Sequence, residues 1–123
     1  MIKLKGLVFL FLILASAPVY ADDFQDGQNA YRRGDYRIDL EKFNSLAEQG
    51  NPQAQWLLSG LYARGMGVAR DYVEALKWSA ISGANGVEIA IIGRDMLQKQ
   101  MASGQINEAY ALAREWMREF NNK

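Results

Sequence analysis

Residues 47–86 read AEQGNPQAQWLLSGLYARGMGVARDYVEALKWSAISGANG. Apolar side chains recur in this segment at intervals of three and four, which is the spacing of one face of a helix. Gly50-Asn51-Pro52 interrupts the pattern with a residue free to take positive φ, followed by a proline suited to a first helical turn. Gly65-Met66-Gly67 interrupts it again, and Asp71 then follows as a candidate N-cap. The segment therefore predicts two helices joined by a glycine-containing loop.

The same pattern extends over the rest of the chain beyond residue 22. Tyr31 and Tyr36 recur as Tyr62 and Tyr72, separated by about the 34 residues of a helix-hairpin repeat. No alternation typical of strands is present, so the sequence predicts an all-α protein. The predicted helices cover residues 23–33, 36–49, 52–64, 71–82, 87–101 and 104–120.

The motifs within residues 47–86 resemble one unit of the Sel-one-like repeat (SLR) family, a branch of the tetratricopeptide-like helical repeats. The resemblance rests on Ala54-Gln55, Leu58, Leu61-Tyr62, Gly65-Met-Gly-Val68, Asp71-Tyr72, Ala75-Leu76 and Trp78. It implies a short right-handed α-solenoid of about three hairpins, with the first helix of each pair on a concave surface. Within the unit that precedes this one, Asp39 stands where the family pattern has a small apolar residue.

The C-terminal region resembles the ending of exported bacterial members of that family. The matching residues are Arg94-Asp95, Met101, Gln105-Ile106, Glu108-Ala109 and Leu112-Ala-Arg-Glu-Trp116, although Ala102-Ser103 replaces the usual Thr-Pro helix start. We therefore expect a partial repeat over residues 22–50, a full repeat over residues 51–86 and a capping hairpin over residues 87–123.

The N-terminal region has the pattern of a secretory signal peptide. Lys3 and Lys5 precede the uncharged run from Gly6 to Ala21, and Val19 and Ala21 supply the small residues of a cleavage site. The run is shorter than the roughly 20 residues of a membrane span. We therefore expect cleavage between Ala21 and Asp22, and a periplasmic or secreted protein that no longer contacts the membrane.

Composition excludes several functional classes. The chain has no cysteine and no histidine, which excludes thiol and Ser-His nucleophiles and zinc sites built on thiolate or imidazole. Loss of Lys3 and Lys5 would leave the remainder slightly acidic, whereas nucleic-acid binders are usually basic. The sequence predicts no catalytic residue, no metal, no cofactor and no nucleic-acid partner.

Structural roles account for the other candidate motifs. Gly65-Met66-Gly67 is followed by Arg70 at the position where a dinucleotide-binding motif needs a third glycine. Helix capping and surface charge account for the carboxylates Asp71, Glu74, Glu108 and Glu115. We expect the residues at helix-packing spacings to form the core: Tyr31, Leu58, Leu61, Tyr62, Tyr72, Ala75, Leu76 and Ser79.

Projection of the repeat onto helical faces yields a candidate partner-binding groove on the concave side. Its predicted members are Asn29, Arg32, Arg33, Gln53, Trp56, Arg64, Ile92, Met96 and Lys99. The cationic side chains favour a partner that carries carboxylates, such as an acidic peptide, and Trp56 is the expected hot spot. The alternative interpretation is that these side chains are simply solvated and that Trp56 caps a neighbouring helix.

The leading functional interpretation is a non-catalytic adaptor or regulator in the bacterial periplasm, which binds a peptide or helix of another envelope or secreted protein. One alternative is an enzyme acting on cell-wall material or β-lactams, since cysteine-rich relatives of the family have been linked to β-lactams. This chain shares none of those cysteines. Another alternative keeps the binding fold and makes the chain an inhibitor or chaperone-like partner of one secreted enzyme.

Overall fold

The computed structural model describes residues 18–123, with side chains from residue 23 onward. This part of the chain contains six helices and no strand, which confirms the all-α prediction. The helices are α1 (Pro18–Arg33), α2 (Tyr36–Glu48), α3 (Pro52–Arg64), α4 (Tyr72–Ala84), α5 (Glu88–Gln98) and α6 (Ser103–Asn121).

The predicted helix boundaries agree with the structure to within three residues at most ends. α1 begins earlier than predicted, at Pro18 rather than residue 23, and α5 ends at Gln98 rather than residue 101. Residues 1–17 of the predicted leader lie outside the described residues, and its cleavage stays a prediction. No helix in the described part is long and apolar enough to cross a membrane.

Capping side chains fix where α3 and α4 begin. Asn51 accepts a hydrogen bond from the Ala54 backbone N–H at 3.0 Å, and Pro52 occupies the first turn of α3. Asp71 accepts one from the Glu74 N–H at 3.1 Å, which confirms its predicted role as an N-cap. Each carboxylate or amide oxygen satisfies a backbone donor that the helix itself leaves unpaired.

The loop between α3 and α4 needs its glycines for conformation and for space. Gly65 ends α3 in the left-handed region, at φ +66°. Gly67 has φ +76°, and a Cβ atom there would collide with the backbone carbonyl of Tyr36 at the start of α2. These glycines let the loop turn tightly against α2, in agreement with their structural interpretation.

α4 lies at the centre of the stack and packs against α3, α5 and α6. Its buried residues include Trp78 and Ile81, which join side chains from α2, α3 and α6 in one apolar core. The members of that core are Phe43, Leu46, Ala47, Ala54, Leu58, Leu61, Trp78, Ala80, Ile81 and Ala113. α1 packs on α2, and α2 on α3, whereas α6 packs mainly on α4 rather than on the preceding helix.

Buried hydroxyls tie neighbouring helices together. Ser59 on α3 donates to the carbonyl of Ala75 on α4 at 2.6 Å, and Ser82 on α4 donates to the carbonyl of Pro52 at 2.8 Å. Because these groups have partners, their burial does not carry the cost of an unsatisfied polar atom.

Most of the predicted core residues lie in the core, with one error. Leu58, Leu61, Ala75, Leu76 and Ser79 are buried. Tyr62 and Tyr72 are half-buried. The core assignment of Tyr31 was wrong, since its side chain is 39% exposed. Its ring makes an edge-to-face contact with Tyr36, with centroids 5.5 Å apart, beside the turn that joins α1 to α2.

Candidate functional site

A pocket of about 230 Å³ opens where α1, α2 and α3 meet. Its walls combine aromatic and aliphatic surface with three charged side chains. The lining residues are Gln28, Tyr31, Arg32, Asp39, Phe43, Trp56, Leu57, Gly60, Leu61 and Arg64. We call this the α1–α3 pocket.

Three of the nine predicted groove residues line the α1–α3 pocket. Arg32 from α1 and Arg64 from α3 are both exposed, and Trp56 from α3 is half-buried. These three side chains therefore lie on one surface, and their role in binding a partner stays a prediction.

The other six predicted residues lie outside the pocket. Asn29 accepts a hydrogen bond from the side chain of Gln25, one turn earlier in α1, at 3.1 Å. Arg33, Gln53 and Lys99 are exposed and do not line the pocket. Ile92 and Met96 lie on α5.

Trp56 joins the pocket to α5. A Cβ atom added at Gly93 would lie 2.5 Å from Cζ3 of Trp56, so the indole ring rests directly on the backbone of α5. Trp56 thus packs against a neighbouring helix, as the alternative interpretation holds, and also forms a wall of the pocket.

Beside this contact, α5 presents apolar side chains to the surface. Ile89, Ile92 and Met96 are 55–60% exposed, and we call them the α5 ridge. Ala90 is the buried member of this helix. The ridge thus belongs to the helix on which the ring of Trp56 rests.

The mouth of the pocket is crossed by a hydrogen bond that sequence reasoning did not foresee. Arg64 Nη1 donates to the hydroxyl oxygen of Tyr31 at 3.0 Å, which links the ends of α1 and α3. Both side chains are exposed, so this bond competes with water and contributes little stability. It does position the guanidinium group at the rim.

Asp39 is the most unusual residue of the pocket. Its side chain is fully buried, and neither carboxylate oxygen has a hydrogen-bond partner among residues 23–123. Desolvation raises the pKa of this carboxyl from 3.8 to about 6. The ionised form of this carboxyl thus has no compensating hydrogen bond from the described residues below the pocket wall.

The sequence contained two signals for this arrangement that the groove prediction did not use. Asp39 occupies a position that the repeat pattern reserves for a small apolar residue, which already indicated a buried site. Gly60 lies on the pocket side of α3, and a Cβ there would meet open space. The pocket exists partly because residue 60 has no side chain.

Two of the four carboxylates considered for acid-base chemistry have structural contacts, and the other two lie on the surface. Asp71 caps α4, and Glu74 pairs with Lys77 at 3.0 Å one turn later. Glu108 and Glu115 are exposed on α6. Within the described residues, no group of three or more acidic side chains could hold a metal ion.

No protein-family profile matches the chain. Two curated relatives are similar over part of their length, and both are named exopolysaccharide production negative regulator. The relative from Rhizobium leguminosarum bv. viciae is 36% identical over 67 residues, which is 54% of this chain and 25% of the relative. The relative from Rhizobium meliloti (strain 1021) is 35% identical over 65 residues, covering 53% of this chain and 24% of the relative. This chain thus spans about a quarter of the length of the curated relatives it matches.

One solved structure is similar in fold over most of the chain. It is a protective antigen present in uropathogenic Escherichia coli strains and displays an SLR fold. It superposes with a TM-score of 0.75 at 28% sequence identity, covering 82% of this chain and 23% of the antigen. This similarity confirms the solenoid of helical repeats that residues 47–86 predicted.

Proposed function

We propose that this Sel-one-like repeat protein is a non-catalytic adaptor or regulator of the bacterial periplasm. It binds a segment of another envelope or secreted protein on the surface formed by the α1–α3 pocket, Trp56 and the α5 ridge. The observation that carries the proposal is the convergence of Arg32, Arg64 and Trp56 around one pocket on adjacent helices. A preorganised surface of this kind lowers the ordering cost of binding an extended segment.

The similar proteins support a regulatory rather than a chemical role. Two of them are named as negative regulators of exopolysaccharide production, although the match covers only about a quarter of each. The fold is shared with an SLR antigen. Solenoid repeats build extended concave surfaces, which suits them to binding other proteins.

The chemistry of the surface favours a segment with both acidic and apolar side chains. Arg32 and Arg64 at the rim match carboxylates of the partner, and guanidinium groups bind carboxylates in bidentate geometry. The α5 ridge presents Ile89, Ile92 and Met96 for apolar contacts. Trp56, between the two regions, is the position where a hot spot is expected.

Recovery of the partner tests this proposal. The full chain, tagged at its C-terminus and isolated from the periplasm, is used as bait beside a Trp56→Ala, Arg64→Glu double variant. The native bait should recover a protein that the folded double variant loses. Arg114→Glu, a charge reversal at an exposed position of α6, is the matched control and should recover the partner normally.

Equal recovery by the native chain and the folded double variant would exclude the surface as the binding site. The identity of the recovered protein separates the adaptor from the alternative of an enzyme inhibitor or chaperone-like partner. A secreted enzyme that loses activity in the complex indicates inhibition, whereas an assembly with unchanged activities indicates an adaptor.

A further inference from the structure

We propose that the α1–α3 pocket takes up the basic side chain of a lysine or arginine from the partner segment, which pairs with Asp39. The inference rests on the proposed function and adds the chemistry of one anchoring residue. A cation on an aliphatic stem complements the negative charge of Asp39. Its stem also fits the apolar walls and the size of the pocket.

The first argument is the state of the Asp39 carboxylate. Both of its oxygens are buried, and neither accepts a hydrogen bond from residues 23–123. A buried charge without donors is strongly unfavourable, and a cation that brings its own N–H groups removes that cost. The unpaired carboxylate therefore selects for a donor-bearing cation over a neutral or anionic group.

The second argument is the size and surface of the pocket. A volume of about 230 Å³ is below the range of about 300–1,000 Å³ typical of sites for whole small molecules, so it suits a single side chain. Phe43, Leu57 and Leu61 supply apolar walls for the methylene stem. The rings of Trp56 and Tyr31 add surfaces on which a cation is favoured.

The third argument concerns the other charged side chains that line the pocket. Arg32 on α1 and Arg64 on α3 line the same pocket and repel an isolated cation. Acidic residues beside the inserted basic residue would neutralise both arginines. The expected partner motif is therefore one lysine or arginine flanked by aspartate or glutamate.

Insertion of the cation requires a local movement of the wall. Both Asp39 oxygens are covered in this structure, so the cation reaches them only when a neighbouring side chain moves aside. Tyr31 and Arg64, joined by their 3.0 Å hydrogen bond, are exposed and free to separate. Carboxylates of the partner compete for Arg64 and would favour that opening.

Small probes test the pocket without the partner. The full chain, labelled with ¹⁵N, is titrated with n-propylguanidinium, n-butylammonium, the neutral n-propylurea and the anion butyrate. The indole N–H signal of Trp56, assigned with a Trp56→Phe variant, reports on the pocket. We expect saturable shifts with one or both cations, and none with urea or butyrate.

Three variants give the test its specificity. Asp39→Asn keeps the shape and removes the charge, and should weaken cation binding by at least about tenfold, the worth of a charge-assisted hydrogen bond. Arg64→Gln should strengthen binding of the isolated cation because it removes a repulsive charge. Asp35→Asn is the matched control, since Asp35 is an exposed carboxylate four residues earlier that makes no side-chain cap bond.

Equal shifts with n-propylurea, unchanged cation binding in folded Asp39→Asn, or no cation binding at all would overturn the inference. These outcomes are distinguishable from a failure of the proposed function. A partner recovered equally well by native and Asp39→Asn baits, without cation binding, refutes only the pocket chemistry. Cation binding that depends on Asp39, with no partner recovered, supports the pocket and contradicts the adaptor role.

Discussion

At the scale of single residues, the carboxylate of Asp39 makes stability depend on pH. Burial raises its pKa in the folded protein to about 6 from 3.8, so the folded chain binds the proton more tightly than the unfolded chain. The destabilising contribution of Asp39 is therefore smallest at acidic pH and grows as the pH rises through the interval between these two values. The difference between the folded and unfolded pKa values corresponds to a loss of about 3 kcal/mol in the free energy of unfolding at neutral pH.

The prediction is that Asp39→Ala stabilises the protein by about 2–3 kcal/mol at neutral pH and by much less near pH 4. Alanine also matches the small apolar residue that the repeat pattern has at this position. Urea unfolding at both pH values measures the effect. A gain of the same size at both values would show that helix propensity, rather than the buried charge, is responsible.

Two glycines give opposite expectations for the same substitution. Both lie within helices, where alanine is more favourable than glycine by about 1 kcal/mol. A Cβ at Gly60 meets open space in the pocket, so Gly60→Ala should realise that gain and narrow the pocket. A Cβ at Gly93 would lie 2.5 Å from the Trp56 ring, so Gly93→Ala should gain nothing and should displace the ring.

Thermal unfolding and tryptophan fluorescence of the two variants check this pair of expectations. Gly60→Ala should raise the melting temperature, whereas Gly93→Ala should leave it unchanged or lower it and alter the emission of Trp56. Identical behaviour of the two variants would contradict the packing of Trp56 on α5.

At the scale of helices, most of the architecture could be predicted from the sequence because glycine, proline and capping residues mark most helix junctions. The α3 bounds were correct at both ends, and Asp71 caps α4 as expected. The pocket could be predicted only in part. Periodicity places Arg32, Trp56 and Arg64 on the same side of the helical stack, but it does not show how deeply each side chain is buried. The exposure of Tyr31 and the burial of unpaired Asp39 depend on how α1, α2 and α3 meet.

The capping residues permit a matched comparison between helices. Asp71 accepts a backbone hydrogen bond at the start of α4, whereas Asp35 precedes α2 and makes no side-chain cap bond. Asp71→Ala should therefore cost about 1 kcal/mol of stability, and Asp35→Ala should cost clearly less. Chemical unfolding of both variants at neutral pH measures the difference. Equal losses would mean that charge alone, without the cap, stabilises these helix starts.

At the scale of the whole molecule, α6 closes the stack by contacting distant parts of the chain. Trp116 packs edge-on against Trp78 of α4 at 5.5 Å and stacks on Phe120 at 4.9 Å. Its indole N–H donates to Glu48 at the end of α2 at 2.8 Å. One side chain thus connects helices that are far apart in sequence.

We expect Trp116→Ala to lower stability by about 3 kcal/mol, since it removes a large aromatic contact between helices. Trp116→Phe keeps the ring contact and loses the hydrogen bond to Glu48, so it should cost only about 1 kcal/mol. Urea unfolding separates the two contributions. A Trp116→Phe variant as unstable as Trp116→Ala would assign the contribution to the hydrogen bond instead of the packing.

The export prediction also belongs to the whole molecule, because processing would change where the folded chain begins. Cleavage after Ala21 shortens α1 at its N-terminal end and leaves Phe24 in place, whose ring contacts Phe43 of α2 at 5.6 Å. Intact-mass measurement of protein from the periplasm should therefore give a chain that starts at Asp22. Ala21→Arg removes the small residue that the peptidase requires and should leave the leader attached. A native periplasmic protein that retains residues 1–21 would refute cleavage, and the first helix would then remain joined to an apolar anchor.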